Sequence, residues 1–124
     1  MKFIGILILL VSTSSLAALS NPEKSAGELC EMEWRITDRS ASTKKNVQQI
    51  VNEEVKTFKS DGRLLSDYSI DEKDFIKVSI EGGIGFRRMV GKMTTPYSEA
   101  RDFFRERMMP PCIKNVLHNL SKNP

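Results

Sequence analysis

The run Phe75-Ile76-Lys77-Val78-Ser79-Ile80-Glu81-Gly82-Gly83-Ile84 alternates apolar with polar residues and then meets a diglycine. Alternation at a period of two is the signature of a half-buried strand, and β-branched residues favour that state. The spacing predicts a strand with Ile76, Val78 and Ile80 on one face. Gly82-Gly83 stands where a two-residue hairpin turn needs positive φ. The return strand, Ile84 to about Lys92, sets Ile84, Phe86, Arg88 and Val90 together. Upstream, Leu64, Ser66, Tyr68 and Ile70 share the same period, with Asp71-Glu72-Lys73 as a polar turn between strands. A three-stranded antiparallel meander is the expectation.

The flanks read as helices. Ala26, Leu29, Cys30, Met32 and Ile36 recur at helical spacing, and Trp34 widens that stripe. Val47, Ile50, Val51, Val55 and Phe58 mark a second helix from about Thr43 to Lys59, capped by Ser42 and stopped at Gly62. Pro96, behind Thr95, suits the first turn of a third helix bearing Tyr97, Ala100, Phe104 and Met108 on one face. Pro110-Pro111 should end it, and a fourth helix from Cys112 gathers Ile113, Val116, Leu117 and Leu120. The predicted order is α-α-β-β-β-α-α. That is an α+β domain in which about four helices cover one sheet face, closed by one disulfide.

The chain has 124 residues, 40% of them hydrophobic, and a formal charge of +3, which fits one domain. Its N-terminus carries a separate message. Lys2, the apolar run Phe3 to Val11 and the small-x-small triplet Ser15-Leu16-Ala17 predict a signal peptide over residues 1–17, cut near Ala17. The run is shorter than the roughly twenty residues a membrane span needs, and no later segment is apolar enough to be one. Residues 18–124 are then one exported domain, periplasmic or secreted.

Export changes the meaning of Cys30 and Cys112, the only cysteines. An oxidising compartment lets them pair, and a loop that long removes about 4–5 kcal/mol of unfolded-state stability on the chain-entropy model. A redox enzyme would need a C-x-x-C pair or an activated thiol, and two distant cysteines with one histidine make a poor zinc set. No metal or other cofactor is expected.

Two acidic residues interrupt apolar faces. Placed at helical intervals, Glu33 falls between Leu29 and Ala26, and Glu54 between Ile50 and Val47. Two inward carboxylates on adjacent helices suit acid/base work, and a compact hydrolase using Glu33 and Glu54 is one reading. The favoured reading is a buried ion-pair network joining Glu33 and Glu54 to Arg88, Arg101 and Arg107, because buried charges are tolerated when paired. The single histidine, His118, lies opposite its helix's apolar stripe. Gly85 to Lys92 departs from a phosphate-binding loop in spacing and in Met93, where Ser or Thr belongs. Asn119-Leu120-Ser121 is an acceptor sequon that matters only in a eukaryotic source.

Charge divides along the chain. Ala18 to Phe86 holds 10 basic and 13 acidic residues, whereas Arg87 to Pro124 holds 8 and 3. Arg87, Lys92, Arg105, Lys114 and Lys122, with Trp34 as an aromatic extension, form a predicted binding surface for a protein with an acidic patch. Export and few stacking aromatics disfavour nucleic acid. The leading functional class is a small exported protein acting by stoichiometric protein binding, of inhibitor, immunity or assembly-accessory type. A structural envelope component on anionic cell-wall or lipid surfaces is a further alternative.

Overall fold

The computed structural model describes residues 21–122. The predicted signal peptide and its cleavage site lie outside the described residues. Four helices fill the rest: α1 (Pro22–Ser42), α2 (Val47–Ser60), α3 (Glu72–Gly91) and α4 (Tyr97–Lys122), with a single 3-10 turn at Leu65–Tyr68 between α2 and α3. No strand occurs among the described residues. The α+β expectation and its three-stranded meander are therefore corrected to an all-helical fold.

Local chemistry explains the correction. Asp71 caps α3, its side chain accepting from the Asp74 amide at 3.0 Å, and Glu72 and Asp74 set negative charge in the first turn. The residues read as a polar turn are thus a helix start. From there Phe75, Ile76, Ser79, Ile80, Gly83, Phe86, Arg87 and Val90 recur every three or four positions, a helical period superimposed on the alternating one. Gly83 does not turn the chain; it lets α3 come close. A Cβ there would stand 2.7 Å from both Ser40 Oγ and Val47 Cγ1. The predicted first strand is the 3-10 turn, which buries Leu65 and Tyr68 and leaves Leu64 and Ser66 outside. Ser69 closes it in the left-handed region with φ 58°.

The first two predicted helices are present with shifted ends. Helix α1 starts earlier, at Pro22, capped by Asn21, and runs to Ser42. Asn46, not Ser42, caps α2, accepting from the Gln49 amide at 3.2 Å. Gly62 follows α2 with φ 85°, the conformation expected of a helix stop. Pro110 and Pro111 lie inside α4, so the two C-terminal helices predicted from the sequence are one.

Helix α1 is the axis, with α2, α3 and α4 all packed on it and α2 also on α3. Leu29, Met32 and Ile36 from α1 join Val47, Val51, Val55 and Phe58 from α2, then Leu65, Tyr68 and Phe75, in one core. Helix α4 is fastened along the other side of α1 by a polar ladder. Asp38 accepts from Tyr97 at 2.8 Å and from Arg101 at 2.9 and 3.0 Å; Glu31 pairs with Arg105; and Cys30 is disulfide-bonded to Cys112, with Cα atoms 5.9 Å apart. The ladder descends α1 while it ascends α4, so the two helices are antiparallel.

Candidate functional site

Helices α3 and α4 form an antiparallel hairpin that meets at one end and parts at the other. At the closed end Phe86 packs edge-on against Phe104 and Tyr97, with ring centroids 5.2 and 5.9 Å away. Below that contact the helices leave a groove of about 510 Å³, floored by α1 through Glu33, Ile36 and Thr37. Val78, Gly82 and Phe86 line the α3 wall; Phe104, Arg107 and Met108 line the other. The groove is apolar except at its floor and its rim.

Helical geometry places the exposed apolar residues along its edges. Val78, at 66% exposure, stands on the outer border of the α3 wall. Phe103, at 52%, borders α4, with the Arg107 guanidinium 4.5 Å above its ring. Arg107 makes no ion pair among the described residues, so the mouth carries an unneutralised cation beside apolar walls.

The floor holds a carboxyl in an unusual setting. Glu33 projects from α1 between α3 and α4 and makes no ion pair among the described residues. Its Oε2 lies 3.0 Å from Cys112 Sγ. A disulfide sulfur has no hydrogen to give, so a hydrogen bond here requires Glu33 to be the donor in its acid form. Burial pushes the Glu33 carboxyl above the usual carboxylate range, which favours that form.

Glu54 sits elsewhere. It is buried on α2 and clamped by Arg35 at 2.8 Å and Arg39 at 2.9 Å, while Glu53 accepts from Arg39 and Lys45. Arg35 and Arg39 leave α1 roughly 200–240° around from Glu33 at about 100° per residue, on the opposite flank. The two carboxyls do not share a cleft, and the hydrolase arrangement is absent from the described residues. The predicted ion-pair network is corrected in the same way. Arg88 and Arg107 are exposed, and Arg101 pairs with Asp38, not with either glutamate. The arginines that serve Glu54 are the two unassigned ones on α1.

The predicted binding surface is divided. Arg87 reaches inward across the α1–α2 junction and donates to the carbonyls of Ser40 in the last turn of α1, Thr43 at its C-cap and Lys45 in the linker to α2. Arg105 is committed to Glu31. Trp34 is 1% exposed, flanked by the guanidiniums of Arg101 and Arg105 at 5.7 and 5.9 Å, so it is core and not surface. Lys92, Lys114 and Lys122 remain exposed, as does His118. Sequence reasoning missed the groove because reading α3 as strands removed one wall.

Among known proteins, no family model, no curated protein and no solved structure matches this chain. No helix among the described residues is long and apolar enough to cross a membrane.

Proposed function

We propose that this chain is a small exported binding protein that acts by stoichiometric contact with another protein, taking an apolar helix of an acidic partner into the α3–α4 groove. The observation that carries the reading is the groove itself: apolar walls, exposed apolar edges at Val78 and Phe103, and the unpaired Arg107 at its mouth. Three helices already bound it, and a guest helix lying between α3 and α4 above α1 completes a four-helix packing of ordinary geometry. A carboxylate on the guest neutralises Arg107, and the exposed Lys92 and Lys114 elsewhere on the C-terminal part of the chain favour an acidic partner by longer-range steering. Inhibitor, immunity and assembly-accessory roles all fit this mode.

The reading is tested by a photoreactive phenylalanine analogue at Val78 or Phe103, irradiated in intact producing cells. Each position is expected to give one discrete heavier adduct, and the analogue at Lys56 on α2 none. Gly82→Leu then plugs the groove, its Cβ entering space with nothing within 4 Å and its branched end filling the volume beyond. The adducts should vanish in that variant while the helical signal stays. Adducts that persist in Gly82→Leu, or that form equally from Lys56, contradict the proposal, as does the absence of any adduct.

A further inference from the structure

Cys30 and Glu33 are three residues apart on α1, so they share a face, and Cys112 arrives opposite them from α4. One ligand atom from each, two sulfurs and a carboxylate oxygen, lies within 4.8 Å of the others. Cys30 is fully buried, and Glu33 and Cys112 are partly buried, at the foot of the groove. Glu33 has no cationic partner among the described residues, whereas Glu31 and Asp38 on the same helix and Glu54 facing it have one or two. Structural pairing explains Glu54, Glu53, Glu31 and Asp38. It does not explain Glu33.

We propose that, once its disulfide is reduced, this chain holds one thiophilic divalent cation, of which zinc is the natural example, between Cys30 Sγ, Cys112 Sγ and a Glu33 carboxylate oxygen. Thiolate sulfur and carboxylate oxygen are both ordinary zinc donors, and two of the first with one of the second leave a fourth tetrahedral position open for water. Metal–sulfur bonds of about 2.3 Å require the sulfurs to stand about 3.8 Å apart at a tetrahedral angle. Cα atoms 5.9 Å apart allow this by side-chain rotation, with the Asp38–Arg101 and Glu31–Arg105 pairs holding α4 in register.

The chemistry balances with a two-electron reductant, for which a phosphine serves. Phosphorus is oxidised to the phosphine oxide, taking its oxygen from water; the S–S bond breaks; and the two protons of that water end on the sulfurs as thiols. The cation then displaces both thiol protons, and the acid proton of Glu33, to solvent as two metal–sulfur bonds and one metal–oxygen bond form. Disulfide and metal site are mutually exclusive states of the same three residues. The proposal is independent of what occupies the groove.

Cobalt(II) is the probe. The mature chain, reduced with a phosphine and then freed of it, is titrated anaerobically with the cation. Expected are a near-ultraviolet sulfur-to-cobalt charge-transfer band, visible bands of tetrahedral intensity saturating at one cation per chain, and displacement by zinc. The oxidised chain should show none of these. Cys30→Ser should abolish the charge-transfer band's one-to-one saturation. Glu33→Gln should weaken affinity by more than about tenfold, since even outer-sphere partners of a metal site are worth that much. Glu99→Gln, an exposed control, should change nothing. If the reduced chain unfolds without metal, regaining helical ellipticity on cobalt addition supports the site. Absence of the band in reduced protein overturns the proposal. So does equal affinity in Glu33→Gln, which would mean that two thiolates alone, folded or unfolded, account for binding.

Discussion

Glu33 and Glu53 respond to pH with opposite sign. Burial holds the folded Glu33 carboxyl above its ordinary 4.5, so its contribution is full at acid pH and is lost as pH rises above that value. Lys45 and Arg39 hold Glu53 at about 2, so its contribution is present above 4.5 and is lost as pH falls towards 2. Urea unfolding across the pH range should therefore show Glu33→Gln more stable than the wild type at neutral pH, the difference vanishing in acid. Glu53→Gln should be less stable than the wild type above pH 4.5, the deficit closing as pH falls towards 2. Gly83→Ala presses a methyl group against Ser40 and Val47 and should cost about 1–3 kcal/mol. Arg87→Met should cost about 1–3 kcal/mol by leaving the Ser40 and Lys45 carbonyls without their donor, and the loss should show in amide exchange at the α1–α2 junction. At this scale the sequence was partly legible. The inward placement of Glu33 and Glu54 followed from helical angles, but the partners of Glu54 did not, because Arg35 and Arg39 lie outside the apolar stripe of their own helix and reach across to α2.

Two elements separate what periodicity reveals from what it hides. In α2, Val47, Ile50, Val51, Val55 and Phe58 fit only the helical period, and all are buried. In α3, residues 75–84 satisfy periods of two and 3.6 together. The cap at Asp71 and the close approach at Gly83 decide between them, and the second of these is a tertiary contact that no local pattern contains. Helix α4 runs through Pro110 and Pro111, which supply no amide hydrogens to the preceding turn. The disulfide at Cys112 pins α4 immediately after that weak point. Closing a loop between residues 82 apart, it should contribute about 4–5 kcal/mol on the chain-entropy model. Reduction should lower the urea midpoint accordingly and raise amide exchange in residues 112–122 before the rest of the helix.

The whole molecule depends on α3 being one helix. As a helix, residues 72–91 wall a groove whose opposite side is α4 and whose floor is α1, and the proposed partner-binding site exists only in that arrangement. As a hairpin, the same residues would form a sheet edge and no groove. The division of charge along the sequence pointed towards the C-terminal half as a binding face; of the basic residues there Lys92, Lys114 and Lys122 are exposed, and Arg107, predicted for an ion-pair network, lines the groove. The apolar walls that give the face its shape come from helices far apart in sequence and were not legible in it. The most direct measurement is the thermal unfolding midpoint of Gly82→Ala. Gly82 is helical, and a Cβ there meets nothing within 4 Å, so the substitution should stabilise the protein by about 0.5–1 kcal/mol and raise the midpoint. A lowered midpoint, as expected for alanine forced into a turn that needs positive φ, would contradict the helix and the groove it builds.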